Sequence, residues 1–387
     1  MTEKLYDQDS KLFSFRAKVV ACEADKKGFW LELDRTAFFP EGGGQSADTG
    51  WIGEARITDV QERGGRILHA ADRPIEPGTE VTGTIDAEQR LRRMQNHSGE
   101  HILSGLTHRL FGYDNVGFHM GAEGMTIDFS GELDEAQLRQ IETLANEAVR
   151  ADLPIRTWYP GPEELAALDY RSKKELTGAV RLVEIKGIDL CACCAPHVSR
   201  TGEVGIVKIL SAERHRGGMR LTVICGLDAL EDYRRRLESA GAVSRLLSVP
   251  REKIAAGVER VLGEQVKLKE HAAALEDELA RRMAAEQGET AGNCCVFLPG
   301  ELLGEAALRE LVNLLAEKCG GFAAAFAGSD AEGFRYVIGS RHVDLRAQSR
   351  AINAAIQGRG GGSPEMIQGS ARASEAAIRQ AIAGFSF

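Results

Sequence analysis

The sequence predicts an α+β protein built from several domains. Three observations carry that prediction. At 387 residues the chain exceeds the size at which one hydrophobic core stops growing, so two or three cores are expected. Hydrophobic residues make up 43%, enough to fill them. The pattern along the chain also changes type: strand-like runs, then helices mixed with strands, then a wholly helical stretch, then strands and helices in alternation.

Residues 1–85 form the first expected domain. From residue 12 onward FSFRAKVVAC, GFWLELD and EVTGTID are short, partly alternating runs broken by Gly, Pro and Asp, the mark of a small β-barrel. Between them lies TAFFPEGGGQSADTGWIG, Thr36 to Gly53. Its Gly42-Gly43-Gly44 run costs too much backbone entropy for a regular element. Composition leaves two roles open, a flexible connection or a loop that lets backbone approach a ligand.

Residues 86–226 form an α+β domain. Asp86 caps a long helix that stops at Gly112, with Leu91, Met94, Ile102, Leu106 and Leu110 near helical spacing. TIDFSG reads as a strand and turn, followed by an amphipathic helix from about Asp134 to Arg150. RLVEIKGIDL, VGIVKIL and RLTVIC read as strands. Residues 227–290 are helical throughout, interrupted at Pro250, with mixed charge around an apolar stripe. That pattern suits a helical hairpin or coiled arm and permits a homodimer through it. Residues 291–387 return to α/β alternation and end in a glycine-rich stretch, GRGGGSPEMIQGSA.

A net charge of -9 excludes a uniformly basic nucleic-acid binder, so any such contact must be local. One local reversal exists. From Gly333 to Gln380 seven arginines face only Asp344, Glu365 and Glu375. Among them Arg359 sits in a glycine run, where side chain and backbone N–H together suit a phosphate; a solvated turn is the plainer alternative. No apolar signal-peptide core opens the chain, and no run approaches the roughly 20 apolar residues that span a bilayer. A cytoplasmic protein with no membrane contact is expected.

Three of the eight cysteines, Cys191, Cys193 and Cys194, crowd into four positions, which points to metal chemistry rather than a disulfide framework. His97 and His101 lie four apart on the long helix, so both imidazoles leave the same face. Cys193 and His197 form a second pair in a proline-bearing turn. One thiolate and three imidazoles make the nitrogen and sulfur set that zinc prefers, so one Zn2+ per chain is expected. HSGEH also matches the H-x-x-E-H metallopeptidase pattern, with Glu100 as general base; a thiolate ligand disfavours that reading.

These motifs together resemble the editing half of alanyl-tRNA synthetase and its freestanding AlaX-type relatives. Four motifs occur in order: the T-x-F-[FY]-P-E-G-G-G-Q loop from Thr36 to Gly50, the H-x-x-x-H helix at His97 and His101, the D-F-S segment from Asp128 to Ser130, and C-x-x-x-H-V-x-x-T-G from Cys193 onward. The glycine-rich C-terminal stretch is similar to the RNA-binding DHHA1 domain of the same synthetases. The resemblance implies a zinc-binding editing domain at 86–226 and a DHHA1-like domain at 291–387. With no room before residue 12 for an aminoacylation domain, it implies a trans-acting hydrolase that deacylates tRNA(Ala) mischarged with serine or glycine.

In that reaction water attacks the ester carbonyl. Glu100 is the candidate base, and Gly43, Gly44 and Gln45 are candidate donors to the developing oxyanion. Thr36, Phe39 and His119 are candidate substrate contacts, Glu100 and His119 being candidates for reading the serine hydroxyl. Arg359, Gly360, Gly361 and Gly362 are candidate tRNA contacts. Two departures stand out. Where the family has C-G-G-T-H this chain has C-C-A-P-H, so Cys194 and Pro196 remove a hydroxyl near the zinc. Glu100 stands where threonine or glutamine is usual. Four protein ligands make a closed site, which also keeps open a zinc-stabilised RNA-binding module without catalysis.

Overall fold

The computed structural model describes residues 2–25, 28–121, 124–172 and 179–385. They form two compact units, Met1–Ser239 and Ala240–Phe387. The helix Gly226–Leu247 spans the boundary between them. Helices and strands mix in both units, so the protein is a multidomain α+β fold.

In the first unit six antiparallel strands close on themselves as a barrel. Their order is Ser14–Asp25, Gly28–Leu33, Arg66–Ala71, Ala55–Arg63, Gly50–Ile52 and Glu80–Ile85. Alternation decides what the barrel buries. Along Ser14–Asp25, Phe15, Ala17 and Val19 point inward while Arg16 and Lys18 face water. Leu31, Leu33, Ile52, Ile57, Val60 and Ile67 complete that core.

The helix Ala87–Phe111 follows at once. The Asp86 side chain accepts from Gln89 N–H at its start, and Gly112 ends it at φ +70°. Residues 94–107 of this helix are buried on all sides, which makes it a central helix rather than a surface one. It packs against a four-stranded antiparallel sheet, in the order Val207–His215, Gly218–Cys225, Gly124–Phe129 and Asn115–Gly121. The helix Glu135–Arg150, started by a full capping box at Asp134 and Gln137, packs on the same core. A smaller sheet of Ile155–Trp158, Leu182–Ile185 and Asp189–Ala192 brings the chain to the cysteine cluster.

The second unit holds a five-stranded sheet in the order Cys294–Leu298, Phe322–Ser329, Gly333–Ser340, Met366–Ala371 and Gly358–Gly362. The first pair is parallel and the rest antiparallel. Helix Glu305–Ala316 and the end of helix Ile254–Glu286 cover one face; Leu345–Ala355 and Glu375–Gly384 cover the other. The glycine run at 358–362 is an edge strand paired with Met366–Ala371, not the turn its composition suggests. Cross-strand hydrogen bonding holds extended a backbone that would be disordered alone. Among the described residues no helix is long and apolar enough to cross a membrane.

Candidate metal centre

Two local geometries build the centre. On the long helix the four-residue step places His97 and His101 on one face, with ring centroids 5.5 Å apart. The turn after strand Asp189–Ala192 supplies Cys193 and His197. The His197 ring lies 4.8 Å from His97 and 4.7 Å from His101. One donor atom from each of the four residues falls within 4.8 Å of the others, so the group can hold a metal ion.

The orientation of each imidazole is fixed from behind. His97 Nδ1 pairs with Gln45 Oε1 at 2.8 Å, and His101 Nδ1 with Asp189 Oδ2 at 2.8 Å. His197 Nδ1 lies 3.1 Å from Ser98 Oγ. The inward nitrogens converge on the thiol: His97 Nε2 and His197 Nε2 stand 3.5 and 3.4 Å from Cys193 Sγ. A partner on the outer nitrogen of each ligating histidine is the arrangement metal sites use to fix tautomer and ring direction. Ser98 supplies a hydroxyl from the helix, behind a motif that carries Pro196 instead of threonine.

Electrostatics point the same way. Burial raises the Cys193 thiol, but the imidazoles of His97, His101 and His197 outweigh it and hold it well below its ordinary value. Burial lowers His101, yet the Glu100 charge and the contacts to Asp189 and Cys193 outweigh it and lift His101 well above the usual imidazole range. Burial pushes His197 down to about 3. One thiol sulfur and three imidazole nitrogens, all within 4.8 Å of one another, are donors of the kinds that bind a metal ion. The donor set therefore fits a metal ion.

Glu100, 1% exposed, is turned toward this centre. Its Oε2 lies 3.7 Å from His101 Nε2; its Oε1 accepts from Ser104 Oγ at 2.7 Å and from Asn115 Nδ2. The glycine loop reaches the centre through Gln45. Gly42 and Gln45 exchange two backbone hydrogen bonds of 3.0 Å, closing a tight turn whose central residues, Gly43 and Gly44, have φ of +61° and +86°. A Cβ on Gly44 would lie 2.6 Å from both the ring and the carbonyl oxygen of Phe118, so glycine alone fits there. The Phe118 ring in turn stands 4.8 Å from His97. Gln45 is fully buried, and among the described residues its amide nitrogen has no hydrogen-bond partner.

The fold thus gathers Gly43, Gly44, Gln45, Glu100 and the four metal donors. Other candidate residues fall elsewhere. Thr36 is fully buried, its hydroxyl shared between His69 Nε2 at 2.9 Å and Phe38 N–H at 3.1 Å. Phe39 is 2% exposed, edge-on to Tyr6 at 5.4 Å. Both support the loop from beneath. His119 is exposed, next in sequence to Phe118 and on the other side of its strand. Arg359, Gly360, Gly361 and Gly362 are exposed on the edge strand of the second unit, where Arg350 and Arg359 line a cleft of about 560 Å3. Cys194 is exposed beside Gly43, and Cys191 groups with His101 and Asp189.

Sequence reasoning missed Ser98, Asn115, Asp189 and Arg171. A partial signal existed for one of them. Gly105, in a helix that otherwise favours larger residues, marks a close approach: a Cβ there would lie 2.6 Å from Asp189 Cβ.

Parts of the chain match known protein families. Residues 180–221 match the threonyl and alanyl tRNA synthetase second additional domain, and residues 6–89 match tRNA synthetases class II (A). Alanine–tRNA ligase of Pyrococcus abyssi is 34% identical over 301 residues, covering 74% of this chain and 32% of the ligase. The Methanopyrus kandleri enzyme is 31% identical over 401 residues, 96% of this chain and 43% of the ligase. That of Natronomonas pharaonis is 32% identical over 398 residues, 95% and 42%. The C-Ala domain of Aquifex aeolicus alanyl-tRNA synthetase matches 25% of this chain at 22% identity, with a TM-score of 0.20 that supports no structural argument. The chain is a homologue of part of alanine–tRNA ligase, spanning less than half the length of these relatives. Within that class it is an AlaX-like relative of the alanyl-tRNA synthetase editing domain.

Proposed function

We propose that this protein is a trans-editing hydrolase that deacylates tRNA(Ala) carrying serine, and also glycine, with one zinc ion held by His97, His101, Cys193 and His197. The observation that carries the reading is the contact between the four-donor centre and the glycine loop, made through Gln45 and His97. That contact joins two motifs 52 residues apart, one suited to a metal and one to close approach of substrate backbone. When bound, zinc supplies a positive charge that orients the aminoacyl group or polarises water.

The chain's own groups do the rest. Glu100 accepts the proton of the attacking water, held in place by Ser104 and Asn115. The buried Gln45 amide N–H, with the backbone N–H groups of Gly43 and Gly44, donates to the oxygen on which negative charge develops. Arg359 and Gly360, Gly361 and Gly362, in a DHHA1-like domain at 291–387, contact tRNA phosphates. On the arm, Val258, Val261, Leu268 and Leu275 are exposed at heptad spacing, which supports a homodimer through that helix. The division at 85, 226 and 290 and a cytoplasmic location belong to the same reading.

The test is release of serine from Ser-tRNA(Ala), with Ala-tRNA(Ala) as control, before and after His101→Ala. Release from the serine species alone, lost in the variant, supports editing. The closed set of four protein donors favours a second reading, a zinc-stabilised tRNA-binding module. Binding without release from either species supports that module instead. Cleavage of a peptide substrate supports the H-x-x-E-H metallopeptidase.

A further inference from the structure

We propose that Asp189 and Arg171 form a positioning pair that sets the strength with which His101 holds the metal; this rests on the reading that His97, His101, Cys193 and His197 are its ligands. Neither residue lies in any of the four motifs. Asp189 Oδ2 accepts from His101 Nδ1 at 2.8 Å. Arg171 takes the same carboxylate in a fork, Nε to Oδ1 at 2.7 Å and Nη2 to Oδ2 at 2.8 Å. Three N–H donors on two oxygens leave the carboxylate no freedom to turn away from the imidazole.

The guanidinium is itself held in register. Arg171 N–H donates to the Leu190 carbonyl, and Ala192 N–H to the Arg171 carbonyl, both at 2.9 Å. The backbone that carries Arg171 is thus laid against the strand that carries Asp189. Asp189 and His101 side chains are 1% and 2% exposed, Arg171 14%. At such burial a carboxylate acts on its neighbours with little screening. A carboxylate behind a ligating imidazole raises its donor strength and locks its ring.

One rival role must be separated. His101, Asp189 and Cys191 also bring donor atoms within 4.8 Å of one another. The committed oxygens argue against that group as a metal site. A cation there would displace the Arg171 guanidinium, and His101 Nδ1 is already spent on Asp189. The pair borders a cleft of about 800 Å3, so Arg171 is accessible to solvent on one side.

The test uses the full chain and Zn2+, with affinity read by competition against a chromophoric chelator and geometry by Co2+ absorption. Asp189→Asn is expected to weaken Zn2+ binding ~10–100-fold. Arg171→Gln is expected to weaken it less. The double variant Asp189→Asn/Arg171→Gln, which leaves no unpaired buried charge, is expected to stay weak and to show shifted Co2+ bands. Wild-type affinity in the double variant would overturn the proposal, because Asp189 would then serve only to neutralise Arg171. Cys191→Ser is expected to keep the thiolate-to-cobalt band; its loss would place the metal on the rival group and overturn the proposal as well. A wild-type chain that binds neither metal would instead refute the four-donor reading, and the pair with it.

Discussion

Asp48→Asn is expected to destabilise the first unit by about 3–5 kcal/mol, the cost of removing one partner from a buried ion pair. Arg90 on the long helix is fully buried and Asp48 is 1% exposed. Arg90 Nε reaches both Asp48 oxygens at 3.0 Å, Nη2 bonds Asp48 and the Ala37 carbonyl, and Nη1 bonds the Ser10 carbonyl at 2.9 Å. Asparagine keeps an acceptor for Phe39 N–H, which now sits 2.6 Å from Asp48 Oδ2, so the loss is mainly of charge. The two carbonyls still solvate the guanidinium in part, which favours the lower end. Against a total of roughly 5–15 kcal/mol, even 3 kcal/mol is a large fraction. All three tryptophans, Trp30, Trp51 and Trp158, lie in the first unit, so fluorescence during urea denaturation at fixed free zinc reports that unit. Because Asp48 follows Gln45 by three residues, zinc affinity is expected to fall too. A loss below about 1 kcal/mol would refute the clamp, since a stranded buried cation cannot be that cheap. The apolar pair Asp48→Leu/Arg90→Met is expected to recover most of the loss.

Other outcomes follow from the same geometry. Burial lowers His69 from 6.5 to about 4. Its folded form therefore binds a proton later than the unfolded chain does. Its stability contribution is full above about pH 6.5 and is lost as pH falls toward 4, by ~3 kcal/mol; His69→Gln should flatten that part of the stability–pH curve. Gly44→Ala forces φ +86° on a residue with a Cβ against Phe118, so a cost of about 1–3 kcal/mol in thermal unfolding and a loss of serine release are expected. Chelating zinc that was present at 100 times its dissociation constant should remove about 2.7 kcal/mol of stability, seen as a lower unfolding midpoint. Arg359→Ala should weaken tRNA binding and reduce the slope of log affinity against log salt by about 1.

The convergence of the four candidate donors was legible in sequence because they obey local spacing. Four residues on a helix or in a tight turn fix two donors to one side, so His97, His101, Cys193 and His197 announce themselves in pairs. The long helix was legible for a similar reason: Asp86 and Gly112 are chemical stop signs that act on their immediate neighbours. The strand Asn115–Gly121 was not, because GFHMG carries too few β-formers and is held extended by Gly124–Phe129 beside it. The glycine run at 358–362 hid its edge strand in the same way. Pairing across a sheet is decided by the partner, which local sequence does not record.

The residues that support the centre were hidden for a deeper reason. Ser98 and Asp189 bond imidazoles of the centre, Asn115 bonds Glu100 and Arg171 bonds Asp189, and a single side chain has no period. Their identities are also common polar types, with many surface roles. What selects them is the cost of leaving a buried group unmatched. His101 Nδ1 must have an acceptor, that acceptor is a carboxylate, and a buried carboxylate needs its own donors, which Arg171 provides. The chain of necessity runs outward from the metal ligands one shell at a time. Each step is forced in kind, though its position in sequence is free. A search of a new sequence for such a centre should therefore begin with the spaced ligands. It should then ask which buried glycines, such as Gly105, allow a second strand near enough to carry the next shell.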